Sequence, residues 1–107
     1  MSLWMSMFPE INGVVAGNDE MALGAVAALK GANRLEGCLV TGVDATPSGL
    51  AAVAAGEMVQ TVKQDAKGQG EGALALAEGF LKGSPPSGDM AVPFTSITRD
   101  NAAQAAN

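Results

Sequence analysis

Gly13-Val14-Val15-Ala16-Gly17-Asn18-Asp19-Glu20-Met21-Ala22-Leu23-Gly24-Ala25 is the stretch on which the fold turns. Gly13 to Ala16 is a short apolar run of the buried-strand kind. It stops at Gly17-Asn18, and Asp19-Glu20 then open a helix, with acids where the helix dipole favours negative charge. Within that helix Ala22, Ala25, Val26 and Leu29 recur at i, i+3, i+4 and i+7, which predicts one buried face. Gly31 and Asn33 supply its stop. A strand that runs through a polar turn straight into a helix is the first half of a βαβ unit.

The same order recurs downstream. Cys38-Leu39-Val40-Thr41-Gly42-Val43 predicts a second strand, closing at Asp44. Thr46-Pro47 is a helix start, a cap followed by a proline whose missing N–H does no harm there. Leu50, Val53 and Ala54 give that helix its apolar side, and Gly56 ends it. Val59 to Lys63 predicts a third strand, ending at Gln64-Asp65. A third helix runs from about Gly68 to Leu81, with Ala73, Leu74, Ala77, Phe80 and Leu81 on one face. Gly83 and Ser84-Pro85-Pro86-Ser87-Gly88 form a loop, Phe94 to Thr98 a last short strand, and residues 102–107 a flexible tail. Strands separated by single helices build parallel sheets through right-handed crossovers. The predicted class is α/β, a parallel sheet with flanking helices.

Composition narrows the function. At 107 residues the chain has room for one small domain. A net charge of −5, with the six Lys and Arg scattered, argues against nucleic acid, which needs a basic face. Cys38 stands alone and histidine is absent, so neither a disulfide nor a cysteine or histidine metal site can be built. No cofactor is implied. No run approaches the ~18 apolar residues of a membrane span. Met1-Ser2-Leu3 lacks the basic region and apolar run of a secretory signal and reads as a vector remnant.

In a parallel sheet ligands bind outside the carboxyl ends of the strands. Three polar residues stand there: Asn18 after the first strand, Asp44 after the second and Gln64 after the third. A carboxylate accepts hydrogen bonds from two neighbouring hydroxyls, and an amide both donates and accepts as a hydroxyl does. Together they suit a polyol. Each also has a simpler reading: Asn18 as a helix cap, Asp44 as a brace for the following turn, Gln64 as an exposed residue after an edge strand. Position by itself leaves the function open. An enzyme is the weaker reading, because Asp19 and Glu20 are neighbours that point apart and nothing pairs a nucleophile with a base.

These same residues carry a family resemblance. Val14 to Ala25 is similar to the strand-helix signature of the periplasmic ribose- and galactose-binding proteins, the capture subunits of ABC importers. Gly42-Val43-Asp44-Ala45-Thr46-Pro47 resembles their second signature, Thr61-Val62-Lys63-Gln64-Asp65-Ala66 their third, and Ile97-Thr98-Arg99-Asp100-Asn101 their closing segment. The resemblance runs from about Trp4 to Asn101. It implies a partial type I periplasmic-binding-protein lobe (Rossmann-like), in which Asn18, Asp44 and Gln64 bond sugar hydroxyls. Residues 4–64 would be the second half of the C-terminal ligand-binding lobe. Residues 65–101 would hold a hinge-crossing helix and the terminal strand. The implied function is capture of a monosaccharide or cyclitol for a transporter permease in the periplasm, without enzymatic activity.

The earlier strands of both lobes are missing, so the resemblance implies a fragment with at most half a site. Trp4 and Phe8 match the end of the helix before the first strand and read as packing residues. Self-association would cover the exposed face of the third helix. The alternative is the effector-binding core of a LacI-type transcription regulator, which shares the fold. Gly42-Val43-Asp44-Ala45 and Gly56-Glu57-Met58-Val59 depart from the Gly-Phe-Asp-Asp signature and the proline usual there.

Overall fold

In the computed structural model, which describes residues 1–105, the predicted runs become short elements. Helix α1 (Ser2–Met7) precedes strand β1 (Gly13–Val15), and α2 (Asp19–Gly31) follows it. Next come β2 (Leu39–Thr41), α3 (Pro47–Ala55) and β3 (Thr61–Lys63). The remainder is α4 (Ala66–Leu81), β4 (Thr95–Ile97) and α5 (Ala102–Ala105). No described helix is long and apolar enough to cross a membrane.

The helices begin where side chains satisfy their first free N–H groups. Asn18 Oδ1 accepts from Met21 N at 2.9 Å, Thr46 Oγ1 from Gly49 N at 3.1 Å, and Asp65 Oδ1 from Gly68 N at 2.9 Å. Pro47 occupies the first turn of α3, and Gly56 closes it in the left-handed region at φ 79°.

Met1–Lys63 and the return segment from Thr95 form one compact unit, and Gln64–Phe94 another. In the first, β1 and β2 pair in parallel, Val14 opposite Val40. An isolated parallel bridge joins Thr41 to Gln60, and β3 pairs with β4 antiparallel, Thr61 opposite Ile97. The expectation of a parallel sheet therefore holds for the β1–β2 pair and the bridge and is corrected at the edge. There the chain returns through α4 and a further long loop, a connection long enough for either direction, so nothing forces β4 to run the same way.

The core of this unit is Ala22, Val26, Leu29, Val40, Leu50, Val53, Met58 and Ile97, with Cys38 at its margin. The predicted face of α2 is buried throughout, Ala25 included. On α3 it is Ala52, not the predicted Ala54, that joins Leu50 and Val53. Residues 102–105, expected within a flexible tail, instead form α5, and Ala102 is buried in the core. Its apolar face has a site to pack on, and Ala102 N and Ala105 N bond to Thr98 O and Asn101 O. Residues 106 and 107 of that expected tail lie outside the described residues. Trp4 and Phe8, read as packing residues, are exposed on and beside α1.

The second unit consists of α4 and the loop after it. Glycines on α4 let that loop lie close: a β-carbon at Gly68 would stand 3.3 Å from Val92 Cγ1, and one at Gly72 2.6 Å from Met90 Sδ. No residue of α4 is buried, and Leu74, Phe80 and Leu81 of the predicted apolar face are exposed.

Candidate functional site

The carboxyl edge of the first unit is built around one buried carboxylate. Asp19, the first residue of α2, has 0% exposure, whereas its neighbour Glu20 is exposed. An ionised carboxylate is an acceptor only, and burying one without donors is expensive. Its donors come from two distant segments. Thr61 Oγ1 on β3 donates to Oδ1 at 2.6 Å. Thr46 N donates to Oδ2 at 2.8 Å, and Thr46 Oγ1 to the same atom at 3.2 Å.

Both hydroxyls pass the connection on. With their hydrogens turned toward Asp19, their lone pairs accept from Ala45 N (3.2 Å, at Thr61) and from Gly49 N (3.1 Å, at Thr46). Space for the carboxylate comes from Gly42 and Gly49. A β-carbon at Gly42 would stand 2.9 Å from Met58 Cε and 3.1 Å from Asp19 Cα, and would overlap Asp19 Oδ1. One at Gly49 would overlap the Asp19 carboxylate itself.

Above this network lies the turn that carries Asp44. Asp44 has φ 108° and Ala45 φ 51°, two consecutive non-glycine residues in left-handed backbone. Such residues cost on the order of 1–3 kcal/mol each and persist where their surroundings over-determine them. Here three successive amides are held: Asp44 N by Val62 O at 2.8 Å, Ala45 N by Thr61 Oγ1, and Thr46 N by Asp19 Oδ2. The Asp44 side chain is exposed.

Asn18 lies at the same edge, because Asp19 N donates to Val43 O at 2.8 Å and ties the two loops together. Its Oδ1 caps α2 through Met21 N, so the helix-cap reading is correct for that atom. The cap does not use its amino group. Gln64 directly follows β3, is exposed, and opens the second unit. The structure thus brings Asn18 and Asp44 to one edge and places Gln64 at the end of the third strand.

Among the described residues no group of carboxylates or cysteines could hold a metal ion. Asp19 and Glu20 point apart, one buried and one exposed, so these two do not form a carboxylate pair of the kind hydrolysis uses. The residue that sequence reasoning undervalued is Asp19. Its available signal was indirect, a threonine at each adjoining segment and glycines at 42 and 49.

Comparison with known proteins finds relatives that match nearly the whole chain. The model of a periplasmic binding protein domain matches residues 1–85. A Rhizobium meliloti protein named for rhizopine binding is 43% identical over 105 residues, covering 97% of this chain and 34% of its own length. A xylitol-binding protein of Mycolicibacterium smegmatis is 40% identical, covering 94% of this chain and 29% of its own. An ABC transporter solute-binding protein of Bacillus halodurans, solved with bound myo-inositol, superposes with a TM-score of 0.81 at 40% identity. That superposition covers 96% of this chain and 36% of the other. The chain therefore spans about a third of the length of these relatives. They are named as binding proteins, not enzymes.

Proposed function

Because this chain belongs to the periplasmic binding protein domain family, we propose that it forms part of the capture site of an ABC-importer subunit for a monosaccharide, polyol or cyclitol. The observation that carries the reading is Asp44, an exposed carboxylate at the carboxyl end of β2 on a backbone turn held against its own preference. Strain of that kind gathers at functional sites because it fixes a group in advance of its ligand.

In this reading the Asp44 carboxylate accepts from two adjacent hydroxyls. The Asn18 amino group donates to a hydroxyl oxygen, and the Gln64 amide serves a third position. The set contains no group that would transform the ligand, which is returned unchanged. Xylitol and myo-inositol, the compounds named with two relatives, share the run of neighbouring hydroxyls this set would read. Residues 4–64 act as half of a ligand-binding lobe, and residues 65–101 as the hinge-crossing segment. The remaining wall of the site and the contacts with a permease belong to the portion of the relatives that this chain does not span. The working compartment is the periplasm.

The test is a thermal-shift panel with myo-inositol, xylitol, ribose and allose at 10 mM. A ligand that binds only the folded state stabilises it by RT ln(1 + [L]/Kd), about 1.4 kcal/mol if Kd is about 1 mM. For a chain of this size that raises the midpoint by several degrees. Asp44→Ala should remove at least about 1.5 kcal/mol of binding, the scale of a hydrogen bond to a charged group, and so cut the shift to about a quarter or less. Midpoints that ignore all four compounds, or a shift undiminished by Asp44→Ala, would refute the assignment.

A further inference from the structure

We propose that Asp19 is a positioning residue that holds the Asp44 turn in its left-handed form, acting through Thr46 and Thr61. The backbone part of this proposal stands alone; its meaning for binding rests on Asp44 being a ligand group.

Asp19 does not cap its own helix, because Asn18 already does that. Its carboxylate instead accepts from groups outside α2: Thr46 N, Thr46 Oγ1 and Thr61 Oγ1. The direction of these bonds is what matters. A carboxylate can only accept, so both threonine hydroxyls must aim their hydrogens at it. Their lone pairs then face Ala45 N and Gly49 N. Asp19 thus dictates the polarity of two hydroxyls, one of which fixes Ala45 while Asp19 itself fixes Thr46.

Sequence choice points the same way. Gly37, Gly56, Gly83 and Gly88 occupy other positive-φ positions without steric strain, and Asn33, a residue type that tolerates such backbone, occupies another. At 44 and 45 the chain instead has aspartate and alanine, and alanine is a poor residue for that region. The conformation must therefore be imposed from below, and the side chains that hold the Ala45 and Thr46 amides are Thr61 and Asp19. Gly42 and Gly49 keep the space that this carboxylate fills.

The experiment is amide hydrogen exchange by NMR on the whole chain, with Asp19→Asn, Thr61→Val and Thr61→Ser. Valine retains the shape and strand preference of threonine without its hydroxyl, and serine restores the hydroxyl without the methyl. Thr61→Val should speed exchange at Ala45 by about tenfold or more, and Asp19→Asn should do the same at Thr46, with Val40 and Thr41 unchanged. Thr61→Ser should return Ala45 to near the parent rate. A purely packing role predicts the reverse, with serine as damaging as valine and the loss spread evenly over the sheet. That pattern, or parent rates at Ala45 and Thr46 in both disruptive variants, would overturn the proposal.

Myo-inositol titration of the same proteins separates the two readings. A parent chain that binds no polyol removes the capture function while the exchange pattern still decides what Asp19 does. Variants that loosen the turn but bind as the parent does would overturn positioning for the ligand.

Discussion

Replacing Gly49 by alanine sets two physical effects against each other, and the structure decides the sign. Gly49 lies in the first turn of α3, where helix propensity alone favours alanine by up to about 1 kcal/mol. A β-carbon there would overlap the Asp19 carboxylate and stand 3.0 Å from Asp19 Cβ. The carboxylate has no exposed side to retreat to, since Asp19 is fully buried. Moving it weakens bonds from Thr46 N, Thr46 Oγ1 and Thr61 Oγ1, each worth about 1.5–3 kcal/mol as hydrogen bonds to a charged group. Losing the equivalent of one such bond, with the about 1–3 kcal/mol usual for overpacking, outweighs the propensity gain. The net expectation is a destabilisation of about 1.5–5 kcal/mol.

Gly24 provides the internal control. It lies in α2, is exposed, and would present a β-carbon to nothing within 4 Å. Gly24→Ala should therefore stabilise by about 0.4–1 kcal/mol. Urea unfolding followed by far-UV circular dichroism reads both, as midpoints moving in opposite directions at constant slope. With slopes of about 1–3 kcal/mol/M, the fall for Gly49→Ala is on the order of 1 M. A Gly49→Ala midpoint equal to or above the parent's would refute the account of Asp19 as a fixed, fully bonded group.

Leu29→Ala, at a site with 0% exposure in the core between α2 and the sheet, should cost about 2–5 kcal/mol in the same urea assay; a loss under 1 kcal/mol would contradict the packing described. Lys30 and Glu57 form an ion pair at 2.5 Å, with side chains 51% and 33% exposed. Glu57→Gln should therefore cost less than about 1 kcal/mol, and the difference from the parent should vanish near 1 M NaCl.

Much of this molecule was legible because its signals are local. Asn18, Thr46 and Gly56 act within four residues of where they stand, so the ends of α2 and α3 follow from residue type. The buried face of α2 follows from spacing alone, as Ala22, Ala25, Val26 and Leu29 show. Signals that depend on a returning segment were not legible. The antiparallel pairing of β4 is one, and the seat of α5 on the core is another. Met21, in the first turn of α2, is exposed, about 90° around the helix from the centre of that packing stripe.

The candidate site divides along the same line. Asn18, Asp44 and Gln64 can be proposed from sequence because each follows a recognisable strand, and position needs no knowledge of contacts. What makes Asp44 a prepared group cannot be found that way. Asp19 meets Thr46 and Thr61 across separations of 27 and 42 residues. An acid at a helix start already has a sufficient local explanation in the helix dipole, so the sequence offers no residue left unexplained. The left-handed turn is hidden for a related reason. Asp44 is a residue that tolerates such backbone, but Ala45 is not, and an alanine there reads as ordinary until the donors and acceptors beneath it are seen. Residue identity and position nominate candidate ligand groups, while the long-range bonds that hold their backbone in place are written only in the fold.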